Sequence, residues 1–83
     1  MKTKITIMKN DIINKVKQSI IKDFTKSELK EINSFEDLQE KCDANMYFIS
    51  VDVGGYEYNG TEKDNLFIND CIEEINDWLK TIH

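Results

Sequence analysis

Between Ile12 and Phe24 the apolar positions recur every third or fourth residue. Ile13, Val16, Ile20 and Phe24 form one stripe, Ile12 and Ile21 widen it, and Lys15 and Lys22 lie opposite. That period predicts an amphipathic helix with Asn10 as its N-cap. Before it, Thr3, Ile5 and Ile7 alternate with Lys4 and Thr6, the period of a short strand. After it, Thr25 with Glu28 three residues on is a capping box, flanked by Phe24 and Leu29 as a hydrophobic staple, for a second helix ending near Asn33. Ser34 opens a third helix with Asp37 placed to bond back to its amide. Phe35, Leu38 and Cys42 face inward, and Asp43-Ala44-Asn45 closes the helix.

From Met46 to Val53 the period falls to two. Tyr47, Ile49, Val51 and Val53 alternate with Met46, Phe48, Ser50 and Asp52, which predicts a strand. Gly54-Gly55 then suits a two-residue hairpin turn, and Tyr56 to Asn59 a short returning strand. Residues 60–65 are polar and predict a loop. From Leu66 onward, Ile68, Cys71, Ile72, Ile75, Trp78, Leu79 and Ile82 fit one face of a long helix. The expected fold is therefore α+β and occupies residues 1–83 as one domain. A small antiparallel sheet, made of the short N-terminal strand and the β-hairpin, is packed by three N-terminal helices and one long C-terminal helix. Trp78 is expected in the core with Ile75 and Ile82, against the strand face of Tyr47, Ile49 and Val51.

The chain has 83 residues, enough for one core and not for a second lobe. No segment approaches the roughly 20 apolar residues that span a bilayer. The basic N-terminus is not followed by the run of about 7–15 apolar residues of a signal peptide. A soluble protein of the cytoplasm of a bacterial host is the expectation. There Cys42 and Cys71 are reduced, and their apolar surroundings predict buried free thiols. Together with the single His83 they cannot complete a four-ligand zinc site, and no metal or cofactor is expected.

Charge changes the picture more than composition does. The net charge is −5, but residues 1–30 carry eight lysines against three acids, whereas residues 31–83 carry three lysines against thirteen acids. Four of those acids, Asp70, Glu73, Glu74 and Asp77, fall on one side of the C-terminal helix, away from its apolar stripe. Glu62 and Asp64 precede it, and Asp52 and Glu57 sit on the expected hairpin. These eight are the candidate partner-binding residues, a patch for a basic protein surface, with a solvated face as the plainer reading. Within the helix cluster only Lys80 offers relief from like-charge repulsion.

Lys15, Lys22 and Lys26 make a basic side, for which solvation or pairing with the chain's own acids is expected. Every basic residue is lysine, and without arginine or interleaved aromatics direct nucleic-acid binding is not expected. Tyr47, Tyr56 and Tyr58 give the hairpin an aromatic surface, partly packed and partly available to an interface. Catalysis has no support: there is no internal histidine, no acid pair with a pocket, and no nucleophile with a base at usable spacing. Asn59-Gly60-Thr61 matches a glycosylation acceptor that a cytoplasmic chain would not use.

Two resemblances bear on function. Val51-Asp52-Val53-Gly54-Gly55 looks like the first phosphate motif of sugar-kinase and actin-type ATPases, in which the acid helps position metal and nucleotide. Those enzymes close two lobes around the nucleotide, and this chain has room for one, so no nucleotide binding is expected. Ser34 to Asn45 resembles a segment of small phage and prophage proteins with the pattern Phe-x-Asp-Leu-His-x-x-x-Asp-Ala-Asn. Phe35, Asp37, Leu38, Asp43, Ala44 and Asn45 match, and Gln39 replaces the histidine. The match covers about a seventh of the chain, implies a mobile-element origin and identifies no site.

Anti-CRISPR and anti-restriction inhibitors, DNA mimics among them, are similar in size and charge. A non-enzymatic acidic inhibitor of a host protein, such as a nucleic-acid-binding enzyme, is therefore the leading expectation. An antitoxin- or immunity-type pairing module is the first alternative, and a small nucleotide-binding enzyme subunit built on the Asp52 turn the second.

Overall fold

The computed structural model describes the backbone of residues 4–82 and the side chains of residues 9–82. Five helices follow one another: α1 (Lys4–Asp23), α2 (Lys26–Leu29), α3 (Phe35–Lys41), α4 (Met46–Ile49) and α5 (Glu62–Thr81). No strand occurs among the described residues, so the expected α+β sheet is overturned and the fold is all-helical. The two 20-residue helices, α1 and α5, pack on each other. Helix α3 lies against α5, and α4 lies against α1.

The expected N-terminal strand is the first correction. Residues 4–7 belong to α1, Asn10 lies inside that helix rather than capping it, and Thr3 falls outside the described residues. Ile5, Met8 and Ile12 are spaced by three and four, so the helical period already ran through the alternating stretch. Extending an existing helix costs far less than nucleating a separate element. Ile12, Ile13, Val16 and Ile20 are buried as the stripe requires, Phe24 is half-buried, and Ile21 is 55% exposed.

The short helices follow their capping chemistry. Thr25 and Glu28 form the expected box: the Glu28 amide donates to Thr25 Oγ1 (3.2 Å) and the Thr25 amide to Glu28 Oε1 (2.9 Å). Helix α2 is shorter than expected, ending at Leu29 with a turn to Ile32. At α3 the Asp37 amide donates to Ser34 Oγ (3.2 Å), but the Asp37 carboxylate accepts from Asn33 N–H (3.1 Å) rather than from Ser34. The end of α3 explains why the next segment is not a strand. Gln39 Oε1 accepts from the Ala44 amide (3.0 Å), Ala44 is fully buried, and the chain reverses into a helical turn. The Ser34 to Asn45 segment is thus a capped helix and its reversal.

Over residues 46–49 both periods fit the apolar run, and packing decides between them. Ala44 and Phe48, four apart, are both fully buried, whereas Ile49, expected inside a strand, is 37% exposed and Met46 46% exposed. The Phe48 ring packs on Phe35 with centroids 5.9 Å apart.

Beyond α4 the chain is irregular to Thr61. The glycine turn exists, with Tyr56 N–H donating to Val53 O (3.0 Å), but φ is positive at Gly55 alone (87°) of the two glycines. Positive φ at the second central residue is the type II arrangement, whose twist splays flanking strands; a two-residue hairpin needs a primed turn. The segment is held instead by half-buried Val51, Val53, Tyr56 and Tyr58 packed against the core.

Helix α5 starts four residues before Leu66. The Asp64 amide donates to Thr61 Oγ1 (3.1 Å), and Asp64 Oδ2 accepts from the amides of Thr61 (3.4 Å) and Asn59 (2.9 Å). Its buried stripe is Ile68, Cys71, Ile75 and Leu79. Trp78, expected in the core, is half-buried on the flank facing α1, with Lys17 Nζ 5.7 Å from its ring. On the other flank Asn76 Oδ1 accepts from the Phe35 amide (2.9 Å) and ties α3 to α5.

Candidate functional site

At about 100° per residue, Glu73, Asp77, Asp70 and Glu74 fall in order across one arc of roughly 100° on α5. The buried stripe lies on the opposite side of the helix. All four acids are exposed, so the structure brings this part of the candidate set together. They are not equivalent. Glu74 borders α1 and pairs with Lys9 at 3.8 Å. Lys17, Glu74 and Asp77 also line a groove of about 490 Å³ between α1 and α5, with Asn10, Asn14 and Ile13. The relief expected from Lys80 therefore comes from α1. Asp70, Glu73 and Asp77 have no ion-pair partner among the described residues.

The other four candidates are dispersed. Asp64 is half-buried and committed to the cap. The Asn59 amide, then the Thr61 hydroxyl and amide, hold its carboxyl below the ordinary 3.8. Glu62 is exposed one position into α5. Asp52 and Glu57 are exposed on the irregular segment and make no side-chain hydrogen bond or ion pair among the described residues. The turn at Asp52 follows no strand, so the phosphate-motif resemblance lacks the strand before its glycines. Lys15, Lys22 and Lys26 have no ion-pair partner among the described residues.

The tyrosines serve the fold more than a surface. Tyr47 O–H donates to Asp23 Oδ2 (2.7 Å), and Tyr58 O–H to Asn65 Oδ1 (2.9 Å). The Tyr56 ring packs on Phe67 at 5.9 Å, and its hydroxyl is buried without a partner among the described residues. Burial pushes Tyr56 and, with the Asp23 bond, Tyr47 above the ordinary phenol value. Both cysteines are free. Cys71 is fully buried, which pushes its thiol up to about 11, and Cys42 is half-buried and raised for the same reason. Neither has the lowered value of a nucleophilic thiol. Among the described residues no three His, Cys, Asp or Glu side chains are placed to hold a metal ion. No described helix is long and apolar enough to cross a membrane.

One feature was not foreseen from the sequence. A groove of about 260 Å³ runs between α4 and α5, floored by Ile49, Ile68 and Ile72. Asn45, Asn65, Asn69 and Tyr58 rim it. The available signal was the pair of asparagines four apart on α5 beside the apolar stripe; α4 itself was hidden by the strand reading.

No protein-family model matches the chain, and no curated protein or solved structure matches it.

Proposed function

We infer that the protein is a non-enzymatic inhibitor encoded by a mobile element. It binds a basic surface of a bacterial host protein, in the host cytoplasm, through the exposed acidic face of α5. One observation carries this reading: Asp70, Glu73 and Asp77 are exposed on the ridge farthest from the core and unpaired among the described residues. Like charges at these spacings cost a few tenths of a kcal/mol per pair. Stability alone does not account for the row, whereas attraction to a cationic partner does.

From Asp70 to Asp77 the helical rise gives roughly 10 Å, the axial length of about three phosphates on one DNA strand at about 3.4 Å each. The row is long enough to occupy part of a groove built for nucleic acid, and too short to replace a duplex.

The test uses Asp70→Lys, Glu73→Lys and Asp77→Lys together, which leaves the Lys9–Glu74 pair and the Asp64 cap intact. Wild type and variant serve as baits in bacterial lysate at low and high salt, and candidates are then checked by direct binding with purified protein. The expected partner is held by wild type at low salt, released at high salt and never held by the variant. Equal binding by both baits overturns the reading.

A further inference from the structure

We propose that the groove between α4 and α5 receives the apolar face of a lysine- or arginine-rich amphipathic helix on the partner protein, while Glu73 holds its basic flank. The proposal rests on the acidic-face reading and makes it specific. The floor of the groove is three isoleucines, and its rim is amide and phenol groups that offer hydrogen bonds without charge. No basic side chain among the described residues lines it. On α4, Ile49 is 37% exposed and Met46, one turn earlier, 46% exposed; on α5, Leu66 is 59% exposed. Of the three, Ile49 lines the groove, Met46 borders a separate hollow with Cys42, Tyr47 and Ser50, and Leu66 lies one turn before Asn69 on the outer side of α5. In an 83-residue chain that needs its large apolar residues for the core, an exposed isoleucine beside two more in the groove floor is costly to keep in water.

Charge complementarity selects the occupant. Asn69 lines the groove, and Glu73 lies one turn further along α5 and one step outward on the same side. Leu66 is followed at four residues by Asp70 and at seven by Glu73, and preceded at four by Glu62. Lys63 is the one basic residue in this stretch of the helix. Acids therefore flank Leu66 one turn away on either side, at about the 5.4 Å helical pitch that a second helix lying beside the ridge shares. A helix with branched apolar residues on one face and lysines at the edges matches floor and rim together, the helix-in-groove mode of recognition. The acidic row alone would attract any polycation. The isoleucine floor gives it a preference among them.

The experiment titrates the full chain with two synthetic helical peptides of equal charge and follows backbone and side-chain amides by two-dimensional NMR. One peptide carries lysines with a leucine face; in the other every leucine is glutamine. The leucine peptide is expected to shift Asn45, Ile49, Asn65 and Asn69 together with Glu73. It is expected to bind at least about tenfold tighter than its glutamine counterpart, the difference made by burying one branched side chain. Ile49→Gln, at a position outside the core, is expected to bring the two peptides within about threefold while leaving the circular dichroism unchanged. Equal affinities with shifts confined to Asp70, Glu73 and Asp77 overturn the groove and spare the acidic face. No shift with either peptide overturns both. Shifts at the groove that follow protein concentration without peptide show that a second copy occupies it, and also overturn the proposal.

Discussion

Phe48→Ala separates the helical turn at 46–49 from a strand more sharply than any other change. In a strand whose inner face carries Tyr47, Ile49 and Val51, Phe48 points away from the core and its loss is nearly free. In the structure Phe48 is fully buried and packs on Phe35 at 5.9 Å, whereas Ile49 is 37% exposed. Removing a buried phenylalanine costs about 3–5 kcal/mol through lost transfer energy and the cavity left behind, with the aromatic pair contributing about 0.5–1.5 of that order. A chain of this length has roughly 4–12 kcal/mol of total stability at about 0.05–0.15 per residue. The variant should therefore be close to unfolding, and Phe48→Leu serves as a milder companion at about 1 kcal/mol. Urea denaturation followed by helical circular dichroism and by Trp78 fluorescence measures both. With a slope of about 1.5 kcal/mol/M, Phe48→Ala should lower the midpoint by about 2 M or more. Ile49→Ala should move it by less than about 1 M. A stable Phe48→Ala protein alongside a severely destabilised Ile49→Ala protein would refute the reasoning, since only the alternating pattern produces that order.

Two further outcomes follow from the thiols and the caps. Native protein treated with a thiol reagent at pH 8 should react slowly at half-buried Cys42 and not at Cys71, whose thiol is buried and raised to about 11, until denaturant is added; fast labelling of Cys71 in native protein would show that the α5 stripe is misplaced. Asp64 and Glu28 both have folded pKa values below the ordinary 3.8 and 4.5, so the unfolded chain binds protons first as pH falls. Their stabilisation is complete above those ordinary values and is lost as pH drops through the lower folded ones. Asp64→Ala should flatten the acid limb of the stability curve, and an unchanged limb would remove the cap from the account.

Local chemistry was legible and long-range choice was not. The Thr25–Glu28 box, the Ser34 cap and the α5 stripe each depend on residues within one or two turns, and each is present. The same logic was available at Thr61-x-x-Asp64, where the polar composition of residues 60–65 hid a helix start. Met46 to Val53 failed for a different reason. Its alternation satisfies a strand only if another strand is there to pair with, and α1 consumed the N-terminal candidate while the type II turn denied the hairpin. What decides the segment is Ala44 and Phe48 entering a core built by α1, α3 and α5, and no window of eight residues contains that fact. The α4–α5 groove was illegible because it depends on the same turn.

For the site, a count of acids by helix face located the ridge but could not say which carboxylates were already engaged. The chain's division into a basic N-terminal third and an acidic remainder turns out to be partly internal, because α1 and α5 pack side by side and Lys9 meets Glu74. That pair is half-exposed at 3.8 Å and is worth at most about 1 kcal/mol. The helices are held by Ile12, Val16, Cys71, Ile75 and Leu79, each at most 1% exposed. Among the described residues the lysines of α1 meet α5 on its near flank, where Glu74 and Asp77 line the shared groove. Glu73 lies at the opposite end of the acidic arc from Glu74, next to Asn69 and the α4 side. Part of the acidity that the fold leaves uncompensated, at Glu73, therefore lies beside Leu66 and the edge of the groove where Ile49 surfaces. Negative charge and exposed branched side chains occur together there, and a partner helix with the inverse pattern satisfies both.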